Sequence, residues 1–339
     1  MLDKENIRLF SLVNSKGAEV ILSSLGAGIV SLTVPDRKGR MADVVLGYRN
    51  LEDYFADGPC MGKIPGRYAN RIASGRMTVG GRECILAVNN GPNHLHGGPE
   101  EQCFANRIWD AVETDDGVLF TLDSPDGDAG YPGALHAEAL YTWSEDCVLT
   151  LRLTATSDAE TVVNLTNHAY FNLKGESAGD VSDHSLRLYA SRYLPTDGTL
   201  IPVGEPAPVA GTPMDFTQPK RLGSELKADF PALNYGKGYD NCFAVDGWKK
   251  GVVRPVAELS EESTGRRLVV STDAPGIQVY TGNWLEGCPQ SKSGGQYHDY
   301  DGVALECQAF PDSPNRSDFP FETLKPGKEY RNTIVFAFE

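Results

Sequence analysis

Two residues of this 339-residue sequence have the chemistry and the surroundings of proton-transfer groups. Glu306 lies in the apolar run 303–310, where strand alternation puts it on the face opposite Leu305 and Cys307. A carboxylate in so hydrophobic a run is expected to lose part of its hydration, which raises its pKa and makes it a candidate general base. His168 is the complementary candidate, because imidazole gains and loses a proton near neutral pH.

His168 stands in the middle of residues 162–173, which we predict to form a strand with two different faces. One face can enter a core, and the other carries hydrogen-bonding groups that suit a ligand with many hydroxyls, such as a sugar. A lone histidine on such a strand is more often an ordinary surface residue. A functional role for His168 is therefore supported only in combination with other candidate residues. The apolar positions are Val163, Leu165, Ala169, Phe171 and Leu173, and the polar ones are Asn164, Thr166, His168, Tyr170 and Asn172.

Three other places carry polar or ionisable side chains that chain packing alone would not require. They are Asn70-Arg71-Ile72, Asn93-His94-Leu95-His96-Gly97-Gly98 and Tyr239-Asp240-Asn241. Each has an ordinary explanation as well: Arg71 could be an ion-paired surface residue, and Asp240 could form an Asx turn or a cap. Glu306 could likewise protect a strand edge against aggregation. The functional interpretation therefore depends on these residues belonging together.

His94 and His96 also raise the question of a metal. Two residues apart on an extended segment, both could point at one ion. No third ligand of clear spacing accompanies them, and Gly97-Gly98 suits a turn that shapes a pocket. We therefore expect no metal site.

Composition excludes several classes of partner. A formal net charge of −15 argues against nucleic acid and against an anionic membrane, since both require a basic patch. Seven cysteines without a Cys-x-x-Cys pair are typical of reduced thiols and fit a cytoplasmic location. The first residues lack the pattern of a signal peptide, and no run is long or apolar enough to span a bilayer.

The elements that must position these residues are predicted to be short strands. Alternating runs are separated by turn signals, such as Gly80-Gly81 between residues 77–79 and 83–86. No amphipathic helical pattern of twelve or more residues occurs, which argues against a parallel α/β sheet. We predict an all-β fold, an antiparallel β-sandwich, formed as a single domain by residues 1–339 with long loops around the site.

The motifs, taken together and in this order, resemble those of the aldose 1-epimerase (galactose mutarotase) family, from about residue 8 to residue 338. The resemblance implies a single antiparallel β-supersandwich with a sugar cleft. It is carried by Asn70-Arg71-Ile72, Asn93-His94-Leu95-His96-Gly97-Gly98, Gly130-Tyr131-Pro132-Gly133, residues 164–173, Tyr239-Asp240-Asn241, residues 276–284 and residues 305–315.

Carried over by motif, the resemblance implies that Glu306 is the general base and His168 the general acid in the interconversion of the α and β anomers of free hexoses such as glucose and galactose. That reaction requires no cofactor. The residues implied to bind and orient the sugar are Asn70, Arg71, His96 and Asp240.

Two positions depart from the family pattern. Cys307 stands where a threonine is expected, and Cys103-Phe104 stands where Gly-Phe is common. Because Cys307 points away from Glu306 on a strand, we expect packing to absorb that change. Cys103 leaves the structure of the loop after Gly98 an open question.

Three other functions remain compatible with the sequence. A glycoside hydrolase could use Asp240 and Glu306 as its carboxylate pair. A carbohydrate-binding module on a sandwich would use aromatic platforms and need no acid/base pair. A sugar 6-phosphate epimerase is disfavoured by the acidic composition. Neither the preferred aldose nor the choice between monomer and homodimer follows from the sequence.

Overall fold

The computed structural model describes residues 6–55 and 57–339, and within them the chain forms 23 strands and one α-helix. The strands are β1 (Leu9–Val13), β2 (Glu19–Ser23), β3 (Gly28–Pro35), β4 (Met41–Asp43), β5 (Arg71–Ile72), β6 (Arg76–Val79), β7 (Arg82–Ile85), β8 (His94–Leu95), β9 (Asp110–Thr114), β10 (Gly117–Ser124), β11 (Leu135–Trp143), β12 (Val148–Ser157), β13 (Tyr170–Phe171), β14 (Ser185–Leu188), β15 (Arg192–Tyr193), β16 (Ala207–Pro208), β17 (Lys220–Arg221), β18 (Asp240–Ala244), β19 (Arg254–Ser260), β20 (Arg267–Thr272), β21 (Gly276–Tyr280), β22 (Val303–Gln308) and β23 (Tyr330–Phe338). The helix α1 is Pro231–Gly236. Single 3-10 turns lie at Leu51–Tyr54, Ala73–Gly75, Glu100–Gln102, Phe104–Asn106, Asp128–Gly130, Leu222–Ser224 and Ser313–Asn315.

Hydrogen bonding joins the strands into three large sheets and two short ribbons. The nine-stranded sheet has the order β17-β14-β19-β20-β23-β12-β11-β10-β9, the six-stranded sheet β13-β22-β21-β18-β15-β16, and the four-stranded sheet β1-β2-β3-β4. The ribbons are β5-β8 and β6-β7. The pairs within these sheets are antiparallel, for example β21 with β22 and β12 with β23, so the predicted fold class is confirmed. No helix in the described part of the chain has the length and apolar character needed to cross a membrane.

Aromatic side chains hold the sheets face to face. Phe171 of β13 packs on Phe336 of β23 with ring centroids 5.2 Å apart, and Phe10 of β1 packs on Phe120 of β10 at 5.6 Å. All four rings belong to one large cluster of buried apolar residues. The nine-stranded sheet therefore forms one layer, and the six-stranded and four-stranded sheets pack against it.

The predicted strand over residues 162–173 is wrong in its extent. Only Tyr170–Phe171 pair as a strand, while the preceding chain is extended and touches its neighbours through single bridges such as Tyr68 with Asn164. The apolar half of the alternation is confirmed, because Val163 and the other odd-numbered apolar positions enter the main core. Hydrophobic alternation reports which side of the chain is buried, and it does not require a neighbouring strand.

The polar half of this segment is not an open row for a ligand. Asn164 Oδ1 accepts a hydrogen bond from the backbone of Ala309 at 2.9 Å, and Asn172 Nδ2 donates to the carbonyl of Asp301 at 2.9 Å. Both asparagines are completely buried. Their amides satisfy backbone groups that lack ladder partners, which such buried groups require. Within this row, His168 contacts Glu306 directly.

The loop after β8 depends on glycine. Gly97 has φ +91°, and a Cβ atom at this position would lie 1.7 Å from the carbonyl oxygen of Gly66. Gly81, in the β6–β7 turn, has a similar φ of +79° but has no atom within 4 Å of its Cβ position. Substitution at Gly81 therefore tests the left-handed backbone strain alone, and substitution at Gly97 tests the same strain together with the steric clash.

We expect Gly97→Ala to lower the free energy of unfolding by about 2–5 kcal/mol, because left-handed strain and overpacking add together. Gly81→Ala should lose only about 1–2 kcal/mol, the strain alone. Urea unfolding followed by fluorescence measures both values. Equal losses in the two variants would contradict the close approach at Gly97.

Candidate active site

The site is built on one face of the six-stranded sheet. Gln278 of β21 lies directly opposite Glu306 of β22, and Asp240 of β18 lies opposite Tyr280 of β21. Directly paired residues project to the same face, and residues two apart on one strand do so as well. Strand register therefore brings a glutamate, an aspartate, a glutamine and a tyrosine onto one surface from three neighbouring strands.

His168 reaches this surface from the extended chain before β13. Its Nε2 lies 3.5 Å from Glu306 Oε1, and the two side chains are 6% and 2% exposed. The His168 backbone is held on both sides, since its N–H donates to the carbonyl of Lys63 at 2.9 Å and its carbonyl accepts from Gly62 at 3.0 Å. The two proton-transfer candidates thus form a buried contact pair.

Burial shifts both members of this pair toward their neutral forms. Burial and the neighbouring charge of Asp240 raise the pKa of Glu306 well above its usual value, and Arg71 opposes this rise. Burial lowers the pKa of His168 to about 4, and the positive charge of Lys63 acts in the same direction. Burial therefore favours the form of the pair in which Glu306 holds a proton and His168 is neutral.

Arg71 and Asp240 form the charged part of the site. Arg71 Nη1 lies 3.9 Å from Asp240 Oδ2, and Gln278 Nε2 donates to Asp240 Oδ1 at 2.6 Å. Arg71 Nε donates to Asn90 Oδ1 at 3.0 Å. Burial raises the pKa of Asp240, while Arg71 and Gln278 oppose the rise. This arrangement gives fixed donors and acceptors that match the hydroxyl groups of a sugar.

Asn70 fixes the tautomer of His96. The Asn70 backbone N–H donates to His96 Nδ1 at 3.1 Å, and the His96 backbone N–H donates back to the Asn70 carbonyl at 3.1 Å. Because Nδ1 accepts this hydrogen bond, the proton of neutral imidazole must be on Nε2. Burial lowers the pKa of His96 well below its usual value, so the ring stays neutral. Its ring centroid lies 5.4 Å from that of His168, and it presents an N–H donor there.

His96, His168 and Glu306 come close enough to suggest a metal triad, with one possible ligand atom of each within 4.8 Å of the others. The tautomer of His96 does not fit, because a nitrogen that carries a proton has no lone pair for a metal. His94 is engaged on both ring nitrogens, by the carbonyl of Ala87 at 2.5 Å and the hydroxyl of Tyr131 at 2.6 Å. His94 and His96 therefore do not act as two ligands of one ion.

The two cysteine departures have structural explanations. Cys307 is completely buried in the main core on the face away from Glu306, which confirms the expectation that packing absorbs it. Cys103 Sγ donates to the carbonyl of His96 at 2.9 Å. The thiol thus helps to hold the loop that carries His96.

The structure places all six predicted site residues in this region, with Asn70 acting through its neighbours. Sequence reasoning missed Gln278 and Tyr280, whose ring centroid lies 6.2 Å from that of His168. The signal was present: both are polar residues at alternate positions of an apolar strand, as Glu306 is. It also missed Lys63, a completely buried lysine that pairs with Asp57 and donates to Asn106 Oδ1 at 2.8 Å beneath the site.

We expect Glu306→Gln to become progressively more stabilising as pH rises above about 5 toward the raised pKa of Glu306. The raised pKa means that folded Glu306 retains a proton that the unfolded chain has lost above about pH 4.5, so wild-type stability falls with rising pH in this window by up to about 1.4 kcal/mol per pH unit. Glutamine has no such dependence, and the contribution of His168 is common to both proteins. Thermal unfolding at several pH values measures the difference.

Glu261→Gln is the control for this measurement. Burial opposes the shift, but hydrogen bonds from Thr264 and Ser263 hold the pKa of Glu261 at about 2. Glu261 is therefore ionised in both folded and unfolded protein above pH 5, and its substitution should destabilise by an amount that does not change with pH. A pH-independent difference for Glu306→Gln as well would show that Glu306 is not desolvated.

The chain is similar to known proteins over nearly its whole length. The sequence model of the family described as aldose 1-epimerase matches residues 8–337. The chain is 42% identical over 326 residues to galactose mutarotase of Bos taurus, covering 96% of this chain and 92% of the relative. It is 39% identical over 339 residues to aldose 1-epimerase of Escherichia coli K12, covering 99% of this chain and 96% of the relative.

Solved structures show the same fold. The crystal structure of the GalM/aldose epimerase homologue from C. elegans superposes with a TM-score of 0.89 at 29% identity, covering 98% of this chain and 99% of that one. Galactose 1-epimerase from Lactobacillus acidophilus NCFM gives 0.85 at 31% identity, covering 100% and 97%. With the family match spanning nearly the whole sequence, this chain belongs to the aldose 1-epimerase family.

Proposed function

We propose that this protein interconverts the α and β anomers of free hexoses such as glucose and galactose, with Glu306 and His168 as the proton-transfer pair. The observation that carries the assignment of roles is the buried contact of 3.5 Å between His168 Nε2 and Glu306 Oε1. The names of the relatives, galactose mutarotase and aldose 1-epimerase, support the reaction.

In the proposed mechanism a base removes the proton of the C1 hydroxyl while an acid protonates the ring oxygen, and the C1–O5 bond breaks to give the aldehyde. Rotation about C1–C2 exposes the other face of the carbonyl, and ring closure gives the other anomer. Ring opening starts from the form of the pair that carries the proton on His168. In this form Glu306 serves as the base and His168 as the acid, and they exchange these roles in closure. The proton count of the site is the same before and after, so no cofactor is required.

The surrounding residues bind and orient the sugar in this proposal. Arg71 supplies a charged donor near the oxygens on which negative charge develops. Asp240 accepts from sugar hydroxyls and is held by Gln278. His96 donates through Nε2, in the tautomer fixed by Asn70.

Two rival enzyme functions fit the geometry less well. A hydrolase would need Asp240 and Glu306 as independent carboxylates, but Asp240 is engaged by Arg71 and Gln278. A sugar phosphate would need free cationic groups in the site, whereas Arg71 lies against Asp240 and Lys63 is paired with Asp57. These engagements favour a neutral free sugar as the substrate.

We also propose a cytoplasmic location and a single functional domain over residues 1–339. All seven cysteines are free thiols, which suits a reducing compartment. One apolar cluster includes residues from all three large sheets, which supports a single unit.

Glu306→Gln should lower kcat for mutarotation at least about 100-fold and change the affinity for sugar less than about tenfold, because the amide keeps the shape and loses the base. Polarimetry of freshly dissolved α-glucose and α-galactose measures the rate, and tryptophan fluorescence titration measures the affinity. Glu113→Gln, on the exposed part of β9, is the control and should match wild type. Full turnover by Glu306→Gln would favour a sugar-binding module over an enzyme.

The fate of the atoms at C1 and C2 separates the proposed reaction from its rivals. Ring opening leaves the C1 oxygen on carbon, whereas hydrolytic chemistry run in reverse would expel it. With glucose labelled by ¹⁸O at C1, mass spectrometry after many turnovers should show label loss no faster than without enzyme. Hydrogen at C2 should not exchange with heavy water. Accelerated oxygen loss would indicate a hydrolase, and C2 exchange would indicate an aldose–ketose isomerase.

A further inference from the structure

Several buried polar atoms next to the acid/base pair have no protein hydrogen-bond partner among the described residues. Besides His168 Nδ1 and Gln278 Oε1, they include the four atoms Thr166 Oγ1, Gln308 Nε2 and Oε1, and Glu306 Oε2. Thr166 and Gln308 are both completely buried, and the mechanism above gives neither of them a role. Polar groups this deeply buried normally have partners, so a cluster of unpartnered ones calls for an occupant.

Extending the strand register of β13 brings these groups together. Tyr170 of β13 pairs with Ala304 of β22, so two residues before Tyr170 and two residues after Ala304 the extended register places His168 beside Glu306. The contact of 3.5 Å between these two side chains agrees with this extension.

A second contact, between Asn164 and Ala309, agrees with the same alignment of the two chain segments. Asn164 Oδ1 accepts from the backbone N–H of Ala309 at 2.9 Å. Extending the register of Tyr170 with Ala304 by four residues on each chain places Thr166 opposite Gln308, on the face that Glu306 shares with Gln308. On this register the hydroxyl and the amide neighbour the base.

Thr166 and Gln308 are closed off from the solvent. Gln308 lies opposite Gly276 of β21, which brings no side chain to the face, and the side chains of Cys242 and Phe310 close over that glycine. Thr166 and Gln308 have no exposed surface, so a sugar in the cleft does not reach them. A water molecule needs two to four polar partners, and this cluster offers them.

We propose that Thr166 and Gln308 are positioning residues that hold Glu306 through one internal water molecule. The water accepts a hydrogen bond from Gln308 Nε2 and donates to Thr166 Oγ1 and Glu306 Oε2. It fixes the second carboxylate oxygen while Oε1 faces His168. The inference rests on the proposed function, because it assigns these residues to the base of that reaction.

The hydrogen bond from this water to Glu306 Oε2 favours the ionised form of Glu306, since a donor to a carboxylate stabilises its charge. Losing this hydrogen bond should raise the pKa of Glu306 and so move the acid limb of the pH profile of kcat to higher pH. The charged and titratable groups that also act on Glu306 are unchanged by the substitutions below. They are Arg71 on β5, His96 after β8, His168 before β13, Tyr170 on β13, Asp240 and Cys242 on β18, Cys307 on β22 and Cys60 in the loop before β5.

Thr166→Val and Gln308→Met test the proposal, because each keeps the approximate shape and removes the hydrogen-bonding group. We expect kcat to fall about tenfold with KM within about twofold, and the acid limb to move upward. The double variant should lose no more than the worse single variant, because both act through the same water. Thr166→Ser, which restores a hydroxyl, should retain wild-type kcat and pH profile.

A purely structural role predicts the opposite pattern. Replacing unpartnered buried polar groups by apolar ones would then raise Tm and leave kcat and its pH profile unchanged, and this result would overturn the proposal. A crystal structure of the wild-type protein at about 1.5 Å resolution should show the water within hydrogen-bond distance of Thr166 Oγ1, Gln308 and Glu306 Oε2. Density without water there would also overturn it.

Failure of this inference is distinguishable from failure of the proposed function. If Glu306→Gln is inactive while Gln308→Met has normal kcat and pH dependence, the epimerase assignment stands and the water-mediated role falls. If the wild-type protein does not accelerate mutarotation in polarimetry, the proposed function falls. The crystallographic test of the water remains valid in either case.

Discussion

The burial of Glu306 is the constraint on which the rest of the site depends. A carboxylate taken out of water is tolerated only when it is neutral or is matched by a cation and hydrogen bonds. Here burial raises the pKa of Glu306 and so favours its neutral form, while Arg71 lies near enough to lower that pKa and favour the charge. Glu306 also sits on β22, between β13 and β21, so partners approach from both sides. A glutamate on an edge strand could not be enclosed in this way.

The loops around Glu306 are held mainly by side chains that satisfy backbone groups. Asn167, for example, donates to the carbonyl of Gly62 at 2.8 Å, next to the point where Gly62 and Lys63 bind the His168 backbone. Lys63 is anchored through its ion pair with Asp57. Breaking one partner of a buried ion pair is strongly destabilising, so the pair fixes this geometry even where it adds little net stability. The position of His168 is therefore determined by buried polar contacts as much as by apolar packing.

Much of this could be predicted from the sequence, and the limits have physical reasons. Alternation identified Glu306 and the buried side of residues 162–173, because it depends only on the chain itself. The motifs identified Arg71, His96 and Asp240, which the structure brings to one region. The hydrogen bonds that join Asn164 to Ala309 and Lys63 to Asn106 could not be predicted, because they connect segments far apart in sequence. Asn164 and Ala309, for instance, are 145 residues apart.

The pKa shifts of Glu306 and His168, the two proposed proton-transfer groups, have a consequence for a reversible reaction. In water a histidine holds a proton more tightly than a glutamate, which favours the charged form of such a pair. Burial raises the pKa of Glu306 and lowers that of His168 to about 4, so the neutral form gains. Arg71 and sugar hydroxyls bound at the pair stabilise charge and oppose that gain. The two forms are thereby brought closer in free energy than burial alone would allow. Opening one anomer and closing the other require the proton to move in opposite directions, so a pair with nearly equal forms can serve both steps.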